Sequence, residues 1–411
     1  MNLRKHYHNR SSWQAPAALE RFTRAGLAGL LVQDRRGTVL QTGRERLVNF
    51  ASSDYLGLSS HPLVIAAACA AAQQWGVSLG MPDVLAAPHL SRALETRFAR
   101  LTGQEQALLL SSTTHIALDL LPLLAGSEAV ILLDEWAYPI SVDGARAAQQ
   151  RGARLVRFAH NDPADLERKL RASAGAQRKI IVVDGVYPAG SSRAPLARFA
   201  QIAGQHGALI YVDDAHGTGI LGTRPQGHPP YGRGGGGTPL FYGVRGGIIH
   251  TASLSKAFGV PLALAAGPSS LIEDLRQRSE ARVHSSPPAV PVIAAALAAL
   301  RLNERIGDSL RRRLALRTAQ FVRESARAGI PLRTSGCFPI LSLDYPTARA
   351  AFAAGAGLRK KGILPVVNLH PPDHPSGGVV RFIITTQHSQ EDIFRAASAI
   401  STVGAAASNA P

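Results

Sequence analysis

Lysine is scarce in this chain of 411 residues. Only Lys5, Lys169, Lys179, Lys256, Lys360 and Lys361 occur, and five of the six lie next to or near other charges, as solvated lysines do. Lys256 alone sits in an uncharged stretch, Thr251-Ala-Ser-Leu-Ser-Lys-Ala-Phe-Gly259, and so needs a reason. Cysteine is scarcer still. Cys69 and Cys337 are far apart, which excludes a disulfide framework and zinc-ligand spacing. Their small and apolar neighbours predict buried, structural thiols. No apolar run has membrane length: the most apolar stretch, Ile116 to Leu133, is broken by Asp119, Gly126 and Glu128 and reads as core. The basic opening, Met1-Asn-Leu-Arg-Lys-His-Tyr-His8, is followed by no apolar run, which argues against a secretory signal. These features predict a cytoplasmic protein without a membrane span. Basic clusters interleaved with aromatics are missing, as are zinc-finger and RNA-binding motifs, so nucleic acid is not an expected partner. The net charge of +17, from 45 basic and 28 acidic residues, suits an anionic small molecule or carrier instead.

What is present is an ordinary globular composition, 45% hydrophobic, over a length that predicts two domains or one with an appendage. Residues 1–45 read as an arm: helical apolar spacing from Ala17 to Leu31, then strand, turn and strand from Val32 to Leu40. From 46 to 290 the chain alternates. Short apolar strands are predicted at Ala107–Leu110, Val130–Leu133, Arg154–Phe158, Ile180–Val183, Leu209–Val212 and Ile248–Ala252. Helices are predicted at Pro62–Trp75, Leu90–Leu101, Val142–Arg151, Asp162–Ala172 and Pro195–His206. That alternation implies a mostly parallel α/β sheet, which binds ligands at the carboxyl ends of its strands. Gly222 to Thr238, with four consecutive glycines at its end, reads as a flexible loop, either a lid or a surface insertion. A long helix from Pro291 to Arg313 or beyond opens a smaller α/β domain over 291–411, which ends in the strand Val379–Thr385 and a last helix.

Pyridoxal-phosphate (PLP) chemistry needs a lysine to form an imine, an acid to keep the pyridine nitrogen protonated, donors for the phosphate and a cation for a substrate carboxylate. Lys256 is the candidate for the Schiff base, and the hydroxyls of Ser253 and Ser255 stand beside it. Asp213, at the end of the apolar strand in Leu209-Ile-Tyr-Val-Asp-Asp-Ala-His-Gly-Thr-Gly219, is the candidate acid. His216, three residues on, is placed to touch the ring hydroxyl or to serve a structural role. Asp214 reads as a cap for the following turn.

These segments resemble the α-oxoamine synthases over residues 46 to about 400. Asn49-Phe-Ala-Ser-Ser-Asp-Tyr-Leu-Gly-Leu58 with His61-Pro62 is similar to the family's first motif, and Asp184-Gly-Val-Tyr187 with Ala194-Pro-Leu196 to its central strand and loop. Val212–Gly219 resembles the aspartate–histidine motif and Ser253–Gly259 the lysine motif. His284-Ser-Ser-Pro-Pro288 resembles a segment that lends a phosphate contact to a neighbouring subunit. Arg381, seven residues before His388, resembles the arginine that grips the amino-acid carboxylate. Six motifs in order carry far more weight than one. The resemblance implies a PLP-dependent transferase of fold type I, a mostly parallel large domain with a smaller C-terminal α/β domain. It also implies a homodimer and a cofactor held by Lys256, Asp213 and His216. The implied reaction condenses an amino acid with an acyl thioester of CoA or an acyl-carrier protein, normally with decarboxylation. Tyr138, Thr113, Thr114, Ser253, Ser255 and Ser285 are its expected cofactor contacts, and Arg381 and Ser53 its expected substrate contacts.

The chain also departs from the family. Where a histidine usually stacks on the cofactor ring, Asp134-Glu-Trp-Ala-Tyr-Pro-Ile140 puts Tyr138, which stacks equally well but carries no imidazole. The phosphate loop reads Ser111-Ser-Thr-Thr114, whose amides and hydroxyls still donate. A Gly-Gly-Ser-Arg segment becomes Gly80-Met-Pro-Asp83, and a Ser-Met-Asp stretch becomes Pro188-Ala-Gly190. A fold-type-I enzyme of different chemistry (aldol cleavage or addition, elimination or transamination) is therefore the competing reading. A non-enzymatic regulator is a third, but no DNA-binding appendage supports it.

Overall fold

The computed structural model describes residues 16–224, 230–334, 336–369 and 377–407. Its centre is a seven-stranded sheet whose strands are, in chain order, β1 (Gln106–Leu110), β2 (Ala129–Asp134), β3 (Arg154–Phe158), β4 (Arg178–Asp184), β5 (Leu209–Asp213), β6 (Ile248–Ser253) and β7 (Ala263–Gly267). They lie in the order β1-β7-β6-β5-β4-β2-β3. All run parallel except β7, which pairs antiparallel with both neighbours. The inner strands carry runs such as Ala-Val-Ile-Leu-Leu-Asp, buried at every position, because helices cover both faces. Two apolar layers result: Ile131, Leu133, Tyr211 and Ile249 pack on the helix Thr113–Ala125 side, and Val130, Leu132, Val183 and Val212 on the Leu196–His206 side.

Each expected strand and helix of this unit is present, with ends shifted by three residues at most. Helix Pro62–Trp75 begins where His61, accepting from the Leu63 amide, caps a proline at the first turn. Helix Pro163–Arg171 is capped by Asp162, whose carboxylate accepts the Ala164 and Asp165 amides. β7 escaped the sequence reading because Ala-Leu-Ala-Ala-Gly contains no β-branched or aromatic residue. It forms because it fills the gap between β1 and β6, where every residue is buried.

The long helix runs from Val290 to Arg327 and leads to an antiparallel sheet of Ile340–Tyr345, Gly378–Ile383 and Val366–Leu369. The arm does not stand alone. Its strands Asp34–Arg36, Val39–Thr42 and Glu45–Asn49 form a second small sheet that pairs with Ile363–Leu364. The expectation of buried thiols is corrected at Cys69, which lies on the exposed side of helix Pro62–Trp75, while Cys337 is half-buried. Small neighbours on a helix do not fix which face a residue takes.

One buried ion pair anchors β1. Glu95 accepts from both terminal nitrogens of Arg276, at 3.1 and 3.0 Å, and from the Leu109 amide at 3.0 Å. Removing one partner leaves the other charge uncompensated, so Glu95→Ala is expected to lower the unfolding free energy by about 3–5 kcal/mol in urea denaturation. Glu95→Ala combined with Arg276→Met is expected to cost less than Glu95→Ala alone.

Candidate active site

The carboxyl edge of the sheet gathers the expected residues. Asp184 and Asp213 end β4 and β5 as register partners, and Asp213 is in turn level with Thr251 on β6. Ser253 ends β6 opposite Ala263, and Ala263 is opposite Leu110 of β1. Two strand spacings, about 10 Å, therefore separate the Ser253 backbone from the end of β1. Helix Thr113–Ala125 starts just beyond that end, with Ser112 as its cap and Thr113 and Thr114 in its first turn. The open amides of that turn form a site for an anion. His115 Nδ1 lies 2.7 Å from the Ser112 hydroxyl.

Lys256 is half-buried. Burial pushes its ammonium pKa down, while the Asp213 and Asp184 carboxylates hold it up. Burial pushes Asp213 up, opposed first by Lys256. Asp184 is pushed well up by burial, reinforced by Asp213. Asp213 Oδ1 accepts the Ala215 amide at 3.1 Å, and Asp184 Oδ1 accepts the Tyr138 amide at 3.2 Å. Ser253 and Ser255 bond each other through their hydroxyls at 2.6 Å. The edge is thus rich in buried carboxyl groups and suited to a cationic partner.

His216 Nδ1 lies 2.7 Å from the hydroxyl of buried Tyr55. Burial, aided by Lys256 and Arg381, drives the imidazole well below its usual pKa, so it is neutral. Ser53 stands two residues from Tyr55, and its carbonyl accepts the Tyr55 amide at 2.7 Å. Arg381 lies on the central strand of the small sheet, level with Ser342 and Val366. Its Nε is buried with no hydrogen-bond partner among the described residues. Burial lowers its pKa, opposed by nearby Tyr55 and Tyr138. No carboxylate among the described residues pairs with it. Tyr138 is 46% exposed and is not a core residue. Ser285 lines a shallow cleft with Asp83, Ser111, His115 and Arg282, and the Ser111 hydroxyl donates to the Ser286 carbonyl at 3.0 Å.

Sequence reasoning passed over a neighbouring cluster. Asp134, fully buried at the end of β2, accepts the Trp136 and Asn161 amides and lies 2.8 Å from His160 Nδ1. The His160 ring stacks on Trp136 at 4.0 Å and 11°, and its Nε2 is 3.1 Å from the Ser192 hydroxyl. A signal existed: each of β2, β4 and β5 ends in aspartate.

His388 proves structural. Its Nδ1 accepts from the Thr385 amide and lies 3.0 Å from the Thr385 hydroxyl, and its ring stacks on Phe50 at 4.2 Å. Burial pushes its pKa down to about 4 from 6.5. The unfolded chain therefore binds a proton that the fold does not, and stability falls as pH drops from about 6.5 to about 4, by about 3 kcal/mol for this residue. His388→Gln is expected to flatten that limb of a stability–pH curve measured by denaturant titration.

A mostly parallel sheet in this order, with a lysine just past β6 and an aspartate closing its neighbour β5, is the arrangement of a PLP-dependent enzyme of fold type I. Comparison with known proteins narrows the class. The family model described as aminotransferase class I and II matches residues 45–400. The 8-amino-7-oxononanoate synthase of Methylobacterium nodulans is 34% identical over 399 residues, covering 95% of this chain and 97% of that one. That of Anaeromyxobacter dehalogenans is 34% identical over 392 residues, covering 93% and 94%. The serine palmitoyltransferase structure from Sphingomonas wittichii superposes with a TM-score of 0.86 at 24% identity, covering 98% of this chain and 100% of that one. The chain belongs to the aminotransferase class I and II family and, within it, to the α-oxoamine synthases. It is a PLP-dependent acyltransferase that condenses an amino acid with an acyl thioester.

Proposed function

We propose that this enzyme joins an amino acid, bound through its carboxylate at Arg381, to an acyl thioester with loss of carbon dioxide. The observation that carries this reading is the half-buried Arg381 guanidinium, whose buried Nε has no protein partner among the described residues and which lies near Tyr55 and Tyr138. The donor set fits PLP. Asp213 Oδ1 is held by a single amide, Lys256 is half-buried between carboxylates, and a capped helix start offers amides for a phosphate. When bound, PLP supplies an electron sink for the electrons released at the substrate α-carbon.

The chain's own groups do the rest. Lys256 Nζ would anchor the cofactor and take the α-proton, a task suited by the pKa that burial lowers. Asp213 keeps the ring nitrogen protonated, through a charge-assisted hydrogen bond. Neutral His216, its Nδ1 engaged by Tyr55, would have its Nε2 left for the cofactor. Tyr138 would be the residue to stack on the ring, and Thr113, Thr114, Ser253 and Ser255 would supply donors for the phosphate. Ser53 lies beside Tyr55 at the carboxylate end. The α-carbon then bonds to the acyl carbon as the C–S bond breaks and the thiol leaves.

Decarboxylation is tested by giving the loaded enzyme a carboxyl-labelled amino acid with a panel of thioesters. One labelled carbon dioxide per thiol supports the reading. Thiol release with the label retained in the product contradicts it. The positive charge favours an anionic donor, CoA or an acidic carrier protein.

A homodimer accompanies this reading. Leu63, Ile65, Val77, Val84 and Leu85 are between 49% and 75% exposed within one stretch of chain, apolar side chains that association would cover. Sedimentation at micromolar concentration is expected to give twice the 43.4 kDa chain mass. Cytoplasmic residence fits the two free cysteines.

A further inference from the structure

Behind the strand end that carries Asp213 lies a buried cluster that the chemistry above does not use. Val212 is level with His250 across β5 and β6, and Asp213 with Thr251. Side chains alternate along a strand, so Asp214 and His250 share one face and Asp213 takes the other. Asp214, His250 and Thr238 are fully buried, and Thr218 is nearly so. Asp214 Oδ2 accepts from the Thr218 hydroxyl at 2.9 Å and the Thr238 amide at 2.8 Å, and Oδ1 from the Thr238 hydroxyl at 2.5 Å. His250 Nε2 stands 3.2 Å from Asp214 Oδ2 and 2.8 Å from the Thr218 hydroxyl.

The carboxylate is also enclosed by three separate segments that come too close for any side chain. A Cβ on Gly185 or Gly217 would lie 2.0 or 2.2 Å from Oδ1, and one on Gly237 would lie 2.2 Å from Oδ2. Asp214 therefore joins the end of β4, the catalytic turn and the close of the glycine-rich segment. The described part of that segment is pinned to it through Thr238 and is not a free lid.

A cap would be complete without the histidine, since the two threonines already supply three donors. His250 adds only a link to β6, the strand that leads to Lys256. It does so at a cost, because its Nδ1 is buried with no partner among the described residues. An apolar residue would avoid that cost and lose the link.

We propose that His250 and Asp214 are a positioning pair which locks the Asp213–His216 turn to the Lys256 strand and so fixes the site that holds the cofactor. The inference rests on the functional reading given above. The imidazole's influence reaches Asp213, whose pKa it lowers against the larger rise caused by burial.

The test measures PLP affinity by absorbance, kcat and KM, and melting temperature, for wild type, His250→Leu, His250→Gln and Asp214→Asn. His250→Leu is expected to weaken PLP binding about tenfold, roughly the effect of one buried hydrogen bond, and to lower kcat with KM for the thioester unchanged. His250→Gln, which keeps a donor, should recover most of both. Asp214→Asn should move both in the same direction as His250→Leu. Wild-type PLP affinity and kcat in His250→Leu, with only the melting temperature lowered, would overturn the proposal and leave the pair a plain structural contact. Should His250→Leu fail to fold, PLP affinity in Asp214→Asn equal to wild type would overturn it equally. A wild-type protein that binds no PLP would instead defeat the functional reading, and this inference with it.

Discussion

Lys256→Ala is expected to reduce turnover by at least about a thousandfold and to abolish covalent retention of the cofactor through gel filtration. The size follows from the two tasks assigned to one nitrogen. General acid–base catalysis alone contributes about 10²–10⁴-fold, and the anchor adds to that. The fold should survive, because Lys256 is only half-buried and desolvation disfavours its charge. A melting temperature equal to or above that of wild type, with activity lost, separates loss of chemistry from loss of structure. Residual turnover within tenfold of wild type would mean that another group takes the α-proton.

Arg381→Leu is the second large effect. A hydrogen bond to a charged group is worth about 1.5–3 kcal/mol, so KM for the amino acid should rise about 10- to 150-fold while KM for the thioester stays constant. Arg381→Lys should fall between the two, since an ammonium lacks the planar fork that meets a carboxylate bidentately. Stability gives the independent check. A half-buried guanidinium whose buried Nε has no partner among the described residues is a cost to the fold, so Arg381→Leu should be at least as stable as wild type. A large loss of stability would mark Arg381 as a structural residue after all.

Much of this was legible in the chain itself. The strands buried on both faces announced themselves as short apolar runs, and helix starts such as His61-Pro62 and Asp162-Pro163 carried their own caps. Lys256 stood out by being the one lysine in uncharged surroundings. The order of six motifs then gave the family. Less legible were features made only by tertiary packing. β7 has an alanine-rich sequence and is a strand only because a gap between β1 and β6 requires one. The arm's pairing with Ile363–Leu364 joins residues more than 300 apart. The environment of Arg381 depends on Tyr55 and Tyr138, which come from distant segments. His250 looked like an ordinary strand residue, and its contact with Asp214 follows only from the register of β5 against β6.

The most direct test of the account is thiol release from a panel of acyl-CoA and acyl-carrier thioesters, each with and without a panel of amino acids. Release that requires one particular amino acid, and is lost in Lys256→Ala, is the predicted result. Turnover of an amino acid with no thioester consumed, or thiol release indifferent to any amino acid, would contradict it.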